Sequence, residues 1–258
     1  MPEIETPAVV LVRPREEGNV GAAARAMANM GLARLILVEP AAALGETATR
    51  FAVGARFVLD GAVRAPSLHD ALSPFRRVVA TTSSRDRRPG LEIDARELPV
   101  RLAADPPGTP TALVFGPEVG GLTNDELALA SLVVTIPCSP VQPTLNLSQA
   151  VLILAYELHQ AGLRKKNGDG PAGEPQRGEP APSVGPPATT DELDGLFDHL
   201  AALLGRIGFA RDSTYTGVLR DLRRMAARAV LDSREVKVLR GICRRGERTI
   251  ERLGAKDE

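Results

Sequence analysis

The chain contains little cysteine and little histidine for its length. Its 258 residues include two cysteines, Cys138 and Cys243, which lie far apart in the sequence. The three histidines, His69, His159 and His199, do not show the spacing of metal ligands. The sequence therefore indicates neither a disulfide framework nor a structural zinc site, and we expect no bound metal.

The sequence also lacks an excess of charge and a long apolar run. Lys+Arg and Asp+Glu number 32 each, so any contact with a polyanion must be local. The N-terminus MPEIETPAVV is acidic before it is apolar, and runs such as AVLILAYEL are too short to span a membrane. We therefore expect a cytoplasmic protein that does not contact a membrane.

Much of the proline and glycine lies in residues 164–188, which hold almost no large apolar residue. Such a segment cannot bury enough surface to offset its ordering entropy, so we predict a flexible linker. It would separate a domain at residues 1–163 from a smaller domain at residues 189–258.

Five apolar runs rich in β-branched residues alternate with helical patterns in the first domain. They are AVVLV from residue 8, RLILVEP from 34, RRVVATTS from 76, TALVF from 111 and LVVTIP from 132. Such runs predict buried strands in a mostly parallel sheet that helices cover on both faces. We therefore predict an open α/β domain that binds ligands at the carboxyl ends of its strands.

Three helices are predicted in the second domain. The first follows a capping box of Thr189 and Glu192 and ends at Gly208. The second carries apolar residues over Val218–Ala229, and the third begins at Ser233. The pattern indicates a small helical bundle.

This second domain is locally basic, with 13 Lys+Arg against 6 Asp+Glu between Arg206 and Arg252. A cluster of one sign is typical of a surface that contacts nucleic-acid phosphates, although a solvated helix face has the same composition. Candidate RNA contacts in the second helix are Arg220, Arg223 and Arg224.

The first of three candidate motifs is GNVGAAARAM, between the first two predicted strands. Its glycines, Gly18 and Gly21, give G-x-x-G rather than G-x-G-x-x-G, which argues against a dinucleotide cofactor. Arg25 is unusual, because a cation near a helix N-terminus is unfavourable. Either an anionic or polar ligand, or an ion pair with Glu16 or Glu17, would explain its position.

The second motif, LVFGPEVGGLTNDEL, places Gly116 directly after a strand. A glycine-rich loop there lets a ligand approach the backbone, and Glu118 would then point into the crevice. A plain strand-to-helix turn is the alternative. Thr123 and Glu126 predict a capping box for the next helix.

The third motif, IPCSPVQPTLNLSQAVLILAYEL, joins a buried strand to an apolar helix through a loop that three prolines stiffen. Asn146 and Ser148 are both candidate N-caps of that helix, and capping is the default explanation for either.

In this order and spacing, the three segments resemble the motifs of the SpoU/TrmH class of SPOUT RNA 2′-O-methyltransferases. GLTNDEL, the PTLNLS loop and the C-terminal LDSREVKVLRGI are similar to the TrmJ branch, which methylates the ribose of the first nucleotide of the tRNA anticodon loop. The resemblance covers nearly the full chain apart from the linker. It implies an α/β domain with a SPOUT-type parallel sheet and a C-terminal trefoil knot, a small C-terminal helical domain, and a homodimer.

The resemblance further implies that tRNA is the partner and that S-adenosylmethionine is the cofactor, bound in the knot. By similarity, cofactor contacts fall on Thr81, Thr82, Ser83, Gly116, Ile136, Thr144, Leu145 and Asn146. The catalytic positions around the ribose are matched by Asn19, Arg25, Glu118 and Asn146. Because the pKa of a guanidinium lies above about 12, we expect Arg25 to fix the target phosphate and stabilise alkoxide charge. We expect Asn19 and Glu118 to hold it in place.

Two positions depart from the TrmJ branch, which commonly has basic or polar residues where this chain has Pro117 and Val119. The loop TTSSRDRRPG keeps Arg85, Arg87 and Arg88, which are either contacts for tRNA phosphates or a solvated basic loop. The alternatives to a tRNA methyltransferase are an rRNA 2′-O-methyltransferase of the same fold, a non-catalytic RNA-binding protein, and an α/β enzyme that uses another nucleotide.

Overall fold

A sheet of seven parallel strands forms the centre of the N-terminal unit. The structure, a computed structural model, describes residues 6–41, 44–83, 91–167, 187–209 and 213–254. The chain divides into two units, Met1–Pro180 and Ala181–Glu258. In chain order the strands are β1 Ala8–Val12, β2 Leu35–Val38, β3 Val63–Ala65, β4 Arg77–Thr82, β5 Glu92–Asp94, β6 Thr111–Phe115 and β7 Leu132–Thr135. Across the sheet their order is β3-β2-β1-β6-β4-β7-β5.

The five strands that the apolar runs predict are β1, β2, β4, β6 and β7, and their parallel pairing confirms the predicted α/β sheet. The edge strands β3 and β5 were not predicted. Each has three residues, and β3 is largely exposed, so neither produces the continuous apolar run of a central strand. The trefoil knot stays a prediction.

Helices cover both faces of the sheet. They are α1 Glu17–Asn29, α2 Glu46–Phe51, α3 Arg56–Asp60, α4 Leu68–Leu72, α5 Leu98–Ala103, α6 Asn124–Ala128 and α7 Leu147–Asn167, with a 3-10 turn at Ala95–Glu97. Alternate residues of β1 point to opposite faces: Val9 and Leu11 pack under α1 and α7, whereas Val10 and Val12 pack with α4 and α6. The strands are therefore buried on both sides.

The C-terminal unit contains α8 Thr190–Arg206, α9 Ser213–Ala229 and α10 Ser233–Gly254. The predicted capping box is present, since Thr189 Oγ1 accepts from Glu192 N and Glu192 Oε2 accepts from Thr189 N. The predicted start of the third helix at Ser233 is also confirmed. Ala188, Leu196 and Val236 form a small buried core.

Residues 164–167 and 187–188, at the two ends of the predicted linker, belong to the described structure, whereas residues 168–186 lie outside it. Helix α7 extends to Asn167, four residues beyond the predicted end of the first domain, because the stretch RKK consists of good helix formers. At the other end, Pro187 pairs with Asp232 in an isolated β-bridge. Within the described ranges, no helix combines the length and the apolar character that a membrane crossing requires.

Candidate active site

Three side chains from the three motifs form a hydrogen-bonded row. Asn146 Nδ2 donates to Asn19 Oδ1 at 2.8 Å, and Asn19 Nδ2 donates to Glu118 Oε1 at 2.9 Å. Asn19 lies in the first turn of α1, Glu118 lies in the loop after β6, and Asn146 directly precedes α7. The fold therefore brings together residues that are 99 and 127 positions apart in the sequence. We call Asn146, Asn19 and Glu118 the polar row.

Glu118 also binds the backbone before α1. Its carboxylate accepts from Arg15 N at 3.0 Å and from Glu16 N at 3.3 Å, in addition to Asn19. Partial burial by itself would raise the pKa of Glu118, but the hydrogen bonds from Asn19 and from the backbone outweigh it and lower the pKa below its usual value. Glu118 is therefore an ionised anchor for the start of α1.

Asn146 caps helix α7 and contacts Asn19 at the same time. Its side-chain Oδ1 accepts from Ser148 N at 2.9 Å and from Ser148 Oγ at 2.7 Å. Its backbone N–H donates to Gln149 Oε1 at 3.1 Å. The capping expectation is therefore right for Asn146, whereas Ser148 lies inside the helix. Because the oxygen of the amide is used for the cap, its nitrogen remains available for Asn19.

Arg25 lies outside the polar row. It is exposed and lines a shallow groove between α1 and α7, together with Ala22, Ala26, Asn29, Ser148, Gln149 and Leu152. Six residues along an ideal helix correspond to about 9 Å and about 120° of rotation, which places Arg25 on a different face from Asn19. Within the described residues Arg25 forms no hydrogen bond or ion pair. In a single chain, Asn19 and Glu118 therefore position each other rather than Arg25.

The argument from the helix dipole is wrong for Arg25. Helix α1 begins at Glu17, so Arg25 is its ninth residue, whereas the dipole effect is confined to the first turn. The suggested pairing with Glu17 is also absent, since that carboxylate accepts from Gly45 N at 3.1 Å. The exposure of Arg25 beside a groove is what makes it available to a ligand.

Sequence reasoning missed an ion pair beside this site. Arg13 Nη1 lies 2.5 Å from Glu126 Oε1 and 3.7 Å from Glu39 Oε2. The hydrogen bond that Arg13 donates to Glu126 raises the pKa of Arg13. Burial by itself would raise the pKa of Glu126, but Arg13 and the backbone of Thr123 lower it overall. Glu126 was assigned only to the capping box, which is present as predicted, and no local pattern pairs it with a residue 113 positions away.

Most of the residues that are expected to contact the cofactor lie at or just after the carboxyl ends of neighbouring strands. Strand β4 ends at Thr82 between β6 and β7, where Ala80 pairs with Val114 and Thr82 pairs with Thr135. Gly116 and Ile136 directly follow the two neighbouring strands, so they flank the end of β4. The other expected contacts are exposed Ser83 and, in the loop before α7, exposed Thr144 and half-buried Leu145. Thr81 Oγ1 donates to Val114 O at 3.1 Å.

The packing of the backbone requires glycine at two positions of the motifs. A Cβ atom on Gly116 would lie 2.5 Å from Leu122 N, because the loop turns back over it through Gly120 and Gly121, which both have positive φ. A Cβ atom on Gly21 would lie 2.1 Å from Ala48 O in α2. Close packing alone therefore accounts for glycine at both positions.

The candidate RNA contacts differ in their surroundings. Arg223 Nη1 lies 2.6 Å from Asp194 Oδ1, and its guanidinium stacks over the ring of Phe197 at 4.4 Å. Arg224 lies 3.6 Å from Asp221, whereas Arg220 is exposed. Arg85, Arg87 and Arg88 lie outside the described residues. Val119, one of the two departures from the TrmJ branch, is exposed, and Pro117 is half-buried.

Comparison with known proteins identifies the relatives of this chain. Residues 6–156 match the model of the SpoU rRNA Methylase family. The chain belongs to the SpoU methylase family. Residues 191–255 match a second model, the C-terminal domain of the tRNA methyltransferase TrmJ. The resemblance to the TrmJ branch is thereby confirmed.

Two TrmJ proteins align with nearly the whole chain, and a third relative aligns with less than two thirds of it. The tRNA (cytidine/uridine-2′-O-)-methyltransferase TrmJ of Pectobacterium atrosepticum is 38% identical over 91% of this chain and 93% of its own length. The crystal structure of TrmJ from Z. mobilis has a TM-score of 0.78 and 30% identity, and covers 94% of this chain and 99% of that one. The SpoU methyltransferase AviRb from Streptomyces viridochromogenes, in complex with the cofactor AdoMet, has a TM-score of 0.50 and 25% identity over 62% and 63% of the two chains.

Proposed function

We propose that this protein is an S-adenosylmethionine-dependent tRNA methyltransferase that methylates a ribose 2′-hydroxyl of the first nucleotide of the anticodon loop. The observation that carries the proposal is the polar row, because it joins the three family motifs in one hydrogen-bonded array. The TrmJ relatives, which are named for methylation of cytidine and uridine in tRNA, support the choice of substrate. A tRNA substrate is consistent with a cytoplasmic protein.

The ends of β4, β6 and β7 fit the proposed cofactor. Ser83 is exposed and carries a hydroxyl group, as does Thr82 before it. Ile136 and Leu145 provide half-buried apolar surface for an adenine, and the three strand ends lie side by side. The remaining contacts in this proposal are Thr81, Gly116, Thr144 and Asn146. When bound there, the cofactor would supply an electrophilic methyl group on a sulfonium sulphur.

The polar row and Arg25 have separate tasks in this proposal. The row fixes the starts of α1 and α7, and with them the groove that Arg25 lines. Arg25 binds the phosphate of the target nucleotide and stabilises negative charge on the 2′-oxygen as its proton leaves for water. Because its guanidinium stays protonated at neutral pH, Arg25 acts through its charge.

We further propose that the protein acts as a homodimer, as the family resemblance implies. Leu152 and Tyr156 are 39% and 46% exposed on α7, beside the groove at Arg25, and would give such an interface apolar surface. Sedimentation equilibrium should then give a mass of two chains, and a monomer at micromolar concentration would contradict this part of the proposal.

Substitution of Arg25 tests the function. The Arg25→Ala variant should lose transfer of tritiated methyl groups to tRNA, while calorimetry should give unchanged affinity for S-adenosylhomocysteine. Arg101→Ala, which removes another exposed arginine of the same unit, is the matched control and should keep its turnover. Wild-type turnover of Arg25→Ala would refute its role.

The substrate is tested by mapping 2′-O-methyl groups in RNA from a deletion strain. Loss of the methyl group from the anticodon loop would support the proposal, whereas loss from rRNA alone would identify the protein as an rRNA enzyme. No affinity for S-adenosylhomocysteine at millimolar concentration would favour the other two alternatives, a non-catalytic RNA-binding protein and an α/β enzyme that uses another nucleotide.

A further inference from the structure

One face of α10 carries a row of exposed cations. At 100° per residue the row occupies about 100° of the helix circumference, and its ends are about 27 Å apart. We call this row the α10 stripe; its members, all exposed, are Arg234, Lys237, Arg244, Arg245, Arg248 and Arg252. Within the described part of the chain, none of the six forms an ion pair.

The acidic residues of α10 do not neutralise the stripe. Glu235 Oε2 accepts from Asp232 N at 2.8 Å and so serves the start of the helix. Glu251 binds Arg206 at 2.9 Å. Glu247 lies about 60° around the helix from Arg244 and farther from the rest of the stripe at the same height, and it forms no ion pair with any of the six among the described residues. The face is therefore positively charged along its whole length.

The spacing of these cations destabilises an isolated helix. Arg244 and Arg248, and Arg248 and Arg252, are four residues apart, and like charges at this separation repel each other. The opposite side of α10 is fixed, because Val236 and Cys243 are buried and Gly246 packs against Leu203 of α8. The fold therefore holds the cations in a rigid, extended array that only an anionic partner would stabilise.

The arginines of α9 are less available. Arg223 is engaged by Asp194 and Phe197, and Arg224 lies close to Asp221. The α10 stripe contains twice as many cations as the α9 candidates, and its members have no such partners among the described residues. The stronger field of the unit therefore lies on α10.

We propose that the α10 stripe is a binding site for the phosphate backbone of RNA that does not read base sequence. An extended row of guanidinium groups matches the repeated charge of a nucleic-acid strand. A membrane surface fits less well, because Val236 and Cys243 are buried on the side opposite the stripe. Among the described side chains of α10, only Val238, Leu239 and Ile242 are exposed large apolar residues, fewer than the six cations. As a contact for tRNA, the site rests on the proposed function.

The test compares three full-length variants that each lose two cations: Arg244→Gln/Arg248→Gln in the stripe, Arg220→Gln/Arg224→Gln in α9, and Arg64→Gln/Arg101→Gln as a charge control in the N-terminal unit. Binding of tRNA and of an unrelated RNA of the same length is measured between low and moderate salt. The slope of log K against log salt should decrease by about 1.4 to 1.8 for the stripe variant, since each lost phosphate contact contributes about 0.7 to 0.9. It should change less for the other two.

A conservative variant separates charge from folding. Arg244→Lys/Arg248→Lys should keep the wild-type slope for both RNAs, because it keeps both charges. An unchanged slope in the stripe variant, or an equal decrease in all three double variants, would overturn the proposal. The proposal would also be overturned if the wild-type protein bound phosphatidylserine vesicles through these arginines but did not bind RNA.

Failure of the proposed function would look different. If the wild-type protein methylates no tRNA but the stripe variant loses its salt dependence on both RNAs, the stripe stands and the proposed activity falls. If tRNA is methylated and the slopes are unaffected, the activity stands and the stripe falls.

Discussion

Two glycines three residues apart in α1 should respond in opposite directions to the same substitution. A Cβ atom on Gly21 would lie 2.1 Å from the carbonyl oxygen of Ala48, and backbone cannot rotate away as a side chain can. A Cβ atom on Gly18 would lie 3.4 Å from the ring of Phe51, which is an ordinary contact. Gly21→Ala should therefore force α1 and α2 apart, whereas Gly18→Ala should fit.

The difference between the two variants isolates the cost of the clash. Alanine is favoured over glycine in a helix by up to about 1 kcal/mol, and this gain applies roughly to both positions. Overpacking costs about 1–3 kcal/mol, and contact with backbone places Gly21 near the upper end. Gly21→Ala should thus lose about 2 kcal/mol of unfolding free energy, while Gly18→Ala should gain up to about 1 kcal/mol.

Thermal unfolding followed by far-UV circular dichroism measures this difference. One kcal/mol corresponds to about 2–4 °C for a protein of this size, so the two midpoints should differ by roughly 6–12 °C. Affinity of folded Gly21→Ala for S-adenosylhomocysteine should stay close to that of the wild type. A midpoint for Gly21→Ala equal to or above that of Gly18→Ala would refute the packing argument, and loss of cofactor affinity without loss of stability would indicate a ligand role for Gly21 instead.

Two further predictions concern the carboxylates of the site. The folded pKa of Glu118 is lowered, so its contribution to stability is complete above about pH 4.3 and is lost as the pH falls through the folded value. Glu118→Gln should therefore lose less stability than the wild type when urea unfolding is compared between neutral and acidic pH, and an identical acid loss would contradict this. Arg13→Ala should leave Glu126 without its partner and cost about 1 kcal/mol, since the pair is partly exposed. Its urea midpoint should fall while Arg101→Ala stays at the wild-type value, and equal midpoints would show that the pair contributes nothing.

The sequence predicts the parts of this fold that depend on local pattern. The continuous run AVVLV identifies β1, and the box of Thr189 and Glu192 identifies the start of α8, because burial and capping act on neighbouring residues. Strand β5 could not be found in this way. Three residues at a sheet edge gain their pairing from β7, whose paired residues lie 41 positions later in the chain, and not from their own composition.

The same limit applies to the site. Asn146 is recognisable as an N-cap, but its second contact, with Asn19, depends on the packing of α1 against α7. The helix dipole does not explain the position of Arg25, because Arg25 lies too far from the start of α1. The ion pair of Arg13 and Glu126 leaves no trace in either local segment. Family motifs predict which residues matter, whereas the hydrogen bonds show what each of these residues contacts.

The loop after β6 is attached to the segment before α1 at two points. Glu118 binds the backbone of Arg15 and Glu16, and Glu126, eight residues later, binds Arg13. Gly116 keeps the intervening loop folded back on itself, and it is also the position at which that loop leaves the edge proposed for the cofactor. A shift of this loop would therefore displace the start of α1 and, through Asn19, the cap of α7. The strand ends proposed to bind the cofactor and the polar row are therefore connected, so that a shift in one moves the other. This connection is a physical reason for motifs that are far apart in the sequence to occur together.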